Sequence, residues 1–94
     1  MRAIRVHAFG QAEVLHHEEV ADPTPGQDQV LIRVKSVGIN PVDTYIRSGT
    51  YPIKPDLPYT PGSDCAGLVA AVGPDVTEFA PGDRVYTLGS VTGT

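Results

Sequence analysis

Apolar and polar residues alternate along three stretches near the start of the chain, which predicts three strands. Within residues 1–9, Ile4 and Val6 fall on one face and charged or polar side chains on the other, as in a half-buried strand. A turn and a second, more polar stretch at 14–20 predict a hairpin of the first two strands. A loop rich in turn formers then leads to a third alternating stretch that starts at Val30.

One short helix is predicted within residues 36–51. Asn40 is a good N-cap residue, and Pro41 suits the first helical position because its missing N–H needs no partner there. Asp43 places a negative charge at the positive end of the helix dipole, and Gly49 can end the helix in a left-handed conformation. The side chains at the spacing of one buried helical face are Val42, Tyr45 and Ile46.

The second half of the chain predicts further strands without another helix. A crossing with four prolines cannot form a regular helix or a central strand; these prolines are Pro52, Pro55, Pro58 and Pro61. Residues 65–72 are small and apolar, which predicts a buried strand, and residues 84–88 predict the last one. Five short strands, frequent turns and one small helix indicate a mainly β domain over residues 1–94, a compact and partly open β-barrel.

Composition and charge argue against some classes of binding partner. The chain has 94 residues, of which 40% are hydrophobic and 19% charged, an ordinary globular mixture. Its net charge of −4, without a cluster of Lys and Arg, argues against nucleic acid or an anionic membrane surface as partner. No apolar run is long enough for a membrane span, and the N-terminus lacks the apolar core of a signal peptide, so we expect a cytoplasmic protein.

The single cysteine, Cys65, excludes an internal disulfide and a multi-cysteine metal site. Its simplest interpretation is a small buried apolar side chain. The histidines lie on the predicted early strands and match no ligand spacing, so we expect exposed strand residues at His7, His16 and His17.

Three motifs in order carry a family resemblance. GINPVDTYIRSGTY at 38–51, LPYTPGSDCAGLVAAVG at 57–73 and FAPGDRV at 79–85 resemble quinone oxidoreductases of the zinc-free medium-chain dehydrogenase/reductase superfamily, of the zeta-crystallin type of NADPH:quinone reductase. The resemblance extends from Met1 to about Val91. It implies a GroES-like N-terminal catalytic domain, followed in the whole enzyme by a Rossmann domain. No strand-linked G-x-G-x-x-G motif occurs here, so we expect residues 1–94 alone to be inactive.

The resemblance also bears on zinc. In zinc-binding relatives a cysteine opens the helix where this chain has Asn40, and a Pro-Gly-His-Glu motif supplies a histidine where it has Ser63. Both residues are poor zinc ligands, so we expect no metal site.

Several side chains have both a structural and a functional interpretation. Asn40 can cap the helix, and the resemblance also places it in the cleft where nicotinamide and substrate meet; the two roles can coexist. Tyr45 can be a core residue, or, as the resemblance implies, a contact to the nicotinamide end of NADPH. The resemblance assigns Tyr51 and Tyr59 to the substrate side, whereas Arg47 is expected to be a solvated charge.

The implied reaction is hydride transfer from NADPH to a quinone or similar electron-poor acceptor. A quinone gains aromaticity on reduction, so neutral donors such as the Asn40 amide or the Tyr45 hydroxyl can replace zinc. The resemblance further implies a homo-oligomer in the full-length form. Two alternatives stay open: a zinc-free enoyl or enone reductase of the same superfamily, and a free-standing, non-catalytic β-barrel module.

Overall fold

Strands dominate the part of the chain that the computed structural model describes, residues 1–87. Within it lie one α-helix and one turn of 3₁₀-helix, so the predicted mainly β class with one short helix is confirmed. The elements in chain order are β1 (Arg2–Val6), a 3₁₀-helix (Ala12–Val14), β2 (Leu15–Glu19), β3 (Val30–Gly38), α1 (Pro41–Ser48), β4 (Asp64–Val72) and β5 (Arg84–Tyr86). They form two units, the first made of Met1–Asp22 and Ile39–Gly62, the second of Pro23–Gly38 and residues 63–87.

The first unit is built on an antiparallel hairpin of β1 and β2, as predicted. Val6 pairs with Leu15 in this hairpin and is fully buried. Tyr59 adds a two-way backbone bridge to β1, because Val6 N–H donates to Tyr59 O at 2.8 Å and Tyr59 N–H donates to Val6 O at 3.1 Å. The proline-rich crossing, predicted to form no central strand, pairs with β1 at this one residue.

The hairpin exposes most of its polar side chains, although Arg5 on β1 is half-buried. All three histidines are exposed, as the sequence predicts. His7 Nε2 lies 2.9 and 3.0 Å from the two carboxylate oxygens of Glu18, and Arg2 Nε donates to His17 Nε2 at 3.2 Å. Exposed pairs of this kind contribute little to stability.

The second unit is a three-stranded antiparallel sheet in the order β3–β4–β5. The central strand β4 supplies two buried side chains, Cys65 and Val69, so the predicted burial of this strand and of Cys65 is confirmed at those positions. Gly67 has no room for a side chain, because a Cβ there would overlap the carbonyl group of Arg33 on the neighbouring strand. Cys65 N–H donates to Thr87 Oγ1 at 3.1 Å.

The predicted alternation of β3 holds only in part. Residues 30–32 are half-buried, but residues 33–37 are all exposed, including Val34 and Val37. The register against β4 shifts between Leu31 and Ile32 and again between Val34 and Ser36. The extra residue is Ala70 on β4 at the first shift and Lys35 on β3 at the second, so only the second shift interrupts the alternation of β3 itself.

The last strand is shorter than predicted in its described part. It covers Arg84–Tyr86, and the predicted position Leu88 lies outside the described residues. Among residues 1–87, no helix has the length and apolar character that crossing a membrane would require.

Candidate active site

Helix α1 begins with a local capping arrangement. Asn40 is extended, with φ −123° and ψ 155°, and Pro41 occupies the first helical position, as predicted. Asn40 N–H donates to Asp43 Oδ2 at 2.8 Å, and the Asn40 side chain faces the Asp43 backbone to complete a capping box. Asp43 N–H also donates to the Asn40 carbonyl oxygen at 3.0 Å, so this end of the helix is satisfied from within residues 40–43. Asp43 is therefore a capping residue as well as a dipole residue.

Helix α1 ends at the predicted glycine. Gly49 is left-handed, with φ 81°, and its N–H donates to Ile46 O at 3.1 Å. The carbonyl oxygen of Tyr45 accepts from the N–H groups of Thr50 at 3.1 Å and Tyr51 at 3.3 Å. The backbone of Tyr51 is thereby tied to the last turn of the helix, which contains Tyr45.

The same end of α1 is held by the turn that follows β1. Gly10 N–H donates to Arg47 O at 2.9 Å, and Arg47 Nε donates back to Gly10 O at 3.3 Å. The Phe9 side chain lies against Gly49, where a Cβ would come within 3.2 Å of the Phe9 Cβ. The expectation that Arg47 is a solvated charge is wrong, because its side chain is half-buried and bonded to backbone.

Tyr45 stands apart from the buried face of the helix. Val42 and Ile46 are half-buried, whereas Tyr45 is 52% exposed, so the interpretation of Tyr45 as a core residue beside them is wrong. At about 100° per residue, Tyr45 lies about 60° to one side of Val42 and Ile46 about 40° to the other, which puts the tyrosine at the edge of the apolar stripe. Its ring is available to solvent or to a ligand.

Tyr59 differs from the other site candidates because its hydroxyl oxygen is buried. Within residues 1–87, this oxygen has no hydrogen-bond partner. Burial raises the pKa of Tyr59 above its usual value of 10.0; Arg47 opposes that shift and Asp43 adds to it. The two charges belong to α1, so the tyrosine hydroxyl is under the electrostatic influence of the helix.

The predicted site residues all belong to the first unit, and three of them lie on or beside α1. Asn40 and Tyr45 lie five residues apart, about 7.5 Å along the helix axis and about 140° around it. Tyr51 follows at the far end of the helix. Tyr59 lies on the crossing with its hydroxyl buried, so it offers no exposed polar tip. The ligand contacts of all four stay predictions.

Apolar groups at this site were missed in the sequence. Ile39, directly before the cap, is 85% exposed, and Ile53, shortly after the helix, is 77% exposed. An apolar residue before the N-cap often packs on the fourth helical residue, but that residue is the polar Thr44. The absence of an apolar partner at 44 was the available signal that Ile39 remains free for other contacts.

Metal ligands do not cluster in the described part of the chain. Among residues 1–87, no group of three or more His, Cys, Asp or Glu side chains is arranged to hold a metal ion. Asn40 and Ser63 occupy the positions at which the resemblance expects ligands in zinc-binding relatives. A zinc-free site stays a prediction from those two residues.

Comparison with known proteins identifies the family. Residues 26–93 match the alcohol dehydrogenase GroES-like domain. Over 99% of its length the chain is 61% identical to quinone oxidoreductase of Lama guanicoe and 55% identical to that of Homo sapiens, and it spans 28% and 29% of those proteins. The structure of Escherichia coli quinone oxidoreductase complexed with NADPH matches with a TM-score of 0.89 at 40% identity, over 97% of this chain and 28% of that one. The resemblance to quinone oxidoreductases is thus confirmed, and the chain belongs to the alcohol dehydrogenase GroES-like domain family.

Proposed function

We propose that this chain is the N-terminal catalytic domain of an NADPH-dependent quinone oxidoreductase and that α1 carries its reaction site. The observation that carries the proposal is the half-exposed Tyr45 ring on a short helix that is fixed at both ends. The supporting comparison is the 55–61% identity to quinone oxidoreductases across nearly the whole chain. One structural relative is a complex with NADPH, which supports that cofactor.

The residues around α1 fit the nicotinamide end of the cofactor. The flat nicotinamide ring can pack against apolar and aromatic side chains, and Tyr45 and Ile39 present such surface at 52% and 85% exposure. Asn40 adds an amide at the capped end. No strand-linked glycine-rich loop for phosphates occurs in the sequence, so we assign the phosphate contacts to the nucleotide-binding domain of the whole enzyme. When bound, NADPH supplies the hydride.

The chain's own residues would bind and orient the acceptor. The Asn40 amide N–H can donate to a quinone oxygen as negative charge develops there, while the capping box keeps its backbone in place. The Tyr45 hydroxyl is a second neutral donor. Two neutral donors are enough for a quinone, because reduction restores an aromatic ring. We therefore also propose that the site works without zinc, given Asn40 and Ser63 at the expected ligand positions.

The test is a steady-state assay of the tag-free full-length enzyme with NADPH and either a benzoquinone or an α,β-unsaturated ketone. We expect saturable oxidation of NADPH with the quinone at a higher kcat/KM than with the enone. Residues 1–94 alone serve as the control and should show no protein-dependent oxidation.

Two results would contradict the proposal. A higher kcat/KM for the enone would favour the enone reductase alternative, and inactivity of the full-length enzyme with both would favour a non-catalytic module. Stoichiometric zinc in the same preparation, measured by metal analysis, would contradict only the proposal that the site works without zinc.

A further inference from the structure

We propose that Arg47 is a positioning residue that fixes Tyr45 for the cofactor by locking the last turn of α1 onto the Phe9–Gly10 turn. We call this contact, formed by Phe9, Gly10, Arg47 and Gly49, the helix clamp. The inference rests on the proposed function, because it takes Tyr45 as the contact to the nicotinamide half of NADPH.

The clamp is reciprocal and made of three contacts. Gly10 uses both of its backbone groups on Arg47, donating to its carbonyl at 2.9 Å and accepting from its Nε at 3.3 Å. The Phe9 side chain occupies the space next to Gly49, which has no side chain of its own. A rotation of the last turn would break all three contacts together.

The charged side chain of Arg47 bonds to Gly10 within the helix clamp. Asp43, four residues earlier, is at the spacing of a helical ion pair, yet Arg47 forms no ion pair within residues 1–87. The Asp43 carboxylate accepts from Asn40 N–H at the other end of the helix, and Arg47 Nε turns to Gly10. The two charged residues thus hold opposite ends of α1 and not each other.

Tyr45 depends on the end that Arg47 holds. A helix of eight residues is marginal alone, so its turns keep their geometry only through outside contacts. Asn40 and its capping box lie in the first turn, whereas Tyr45 is two residues before Arg47 and its carbonyl anchors Thr50 and Tyr51. Loosening the clamp should therefore move the Tyr45 ring and leave the Asn40 cap intact.

The test is a double-mutant cycle in the full-length enzyme, read as the Kd for NADPH. Arg47→Met, whose side chain has no N–H donor, should weaken binding about two- to tenfold, the lower part of the range for coupled contacting residues. The same change should have no further effect in a Tyr45→Ala background and its full effect in an Asn40→Ala background. If Arg47→Met does not fold, Arg47→Lys replaces it, since lysine keeps the charge but places no donor at the Nε position.

Arg5→Met is the matched control. Arg5 is also half-buried in the first unit and donates from Nη2 to a loop carbonyl, that of Pro58 at 3.4 Å. It should lower stability without changing the Kd for NADPH. Amide hydrogen exchange gives a second readout: Arg47→Met should speed exchange at Gly49, Thr50 and Tyr51 but not at Asp43.

The outcomes distinguish a failure of the positioning role of Arg47 from a failure of the proposed function. Equal weakening of NADPH binding by Arg47→Met in the wild-type and Tyr45→Ala backgrounds, or unchanged exchange at the three amides, would overturn the positioning role. Normal NADPH binding by Tyr45→Ala itself would instead overturn the proposed site, and the exchange rates would still test the clamp.

Discussion

The two ends of helix α1 are held by different means. At the N-terminal end, Asn40 and Asp43 are three residues apart and satisfy each other, with Asn40 N–H donating to Asp43 at 2.8 Å. At the C-terminal end, Arg47 is held by Gly10, 37 residues earlier in the chain. The N-terminal end is capped by contacts between neighbouring residues, whereas the C-terminal end is held only when the first unit is folded.

This difference matters for the proposed reaction, because each end of α1 carries one of the two proposed reaction residues. Asn40 belongs to the locally closed end and Tyr45 to the end that depends on distant contacts. We therefore expect substitutions outside the helix to alter the environment of Tyr45 more readily than that of Asn40. Substitutions at the two ends and at Tyr59 test this contrast, from the largest expected effect to the smallest.

Gly49→Ala should destabilise the protein by about 1–2 kcal/mol for the left-handed backbone, with a further loss from the contact with Phe9. The new Cβ would lie 3.2 Å from the Phe9 Cβ and 3.3 Å from its Cγ. Gly82→Ala is the matched control, because Gly82 has φ 96° but nothing lies within 4 Å of the position that its new methyl group would take. Urea unfolding of both variants measures the difference, and equal losses would show that Phe9 does not restrain this end.

Asn40→Ala should destabilise by about 1 kcal/mol or less, because the bond from Asn40 N–H to Asp43 survives the substitution. It should also lower quinone turnover in the folded full-length enzyme. Asn40→Ser separates the two roles, since serine caps a helix but lacks the amide donor. We expect Asn40→Ser to be as stable as the wild type with the reduced kcat of the alanine variant. A stable serine variant with normal kcat would make Asn40 a cap only.

Tyr59→Phe should change stability least at neutral pH, between no effect and about 1 kcal/mol of stabilisation, since the hydroxyl is buried without a partner among residues 1–87. The raised pKa of Tyr59 determines the direction in which the stability of the protein changes at high pH. The unfolded tyrosine loses its proton first, so wild-type stability falls as pH rises above about 10. Urea unfolding from pH 7 to 11 should show a growing advantage of the phenylalanine variant. A variant clearly less stable at pH 7 would reveal a bond to this hydroxyl.

Local patterns explain which structural predictions from the sequence succeeded. The cap, the proline at the first position and the glycine at the end place α1 at Pro41–Ser48, because each acts within a few residues. The hairpin of β1 and β2 follows from two alternating stretches close together in the chain, although a 3₁₀-helix lies between them. The burial of Cys65 follows from a run of small apolar residues.

The failures have a common physical origin in contacts between distant residues. Nothing near Arg47 in the sequence points to Gly10, and nothing near Tyr59 points to its bridge with Val6. The exposure of Tyr45 depends on its place at the edge of the apolar stripe, which residue type alone does not reveal. The ligand roles of Asn40, Tyr45, Tyr51 and Tyr59 come from the family resemblance, and they stay predictions.

The most direct test of the site on α1 is to measure the Kd for NADPH of three full-length proteins. These are the wild type, Tyr45→Phe and Tyr45→Ala. Contact between the ring and nicotinamide predicts near-normal affinity for the phenylalanine variant. It predicts about two- to tenfold weaker binding for the alanine variant, since aromatic contacts contribute about 0.5–1.5 kcal/mol beyond area burial. Equal Kd values for all three proteins, with only a lower thermal stability in Tyr45→Ala, would contradict the proposed site.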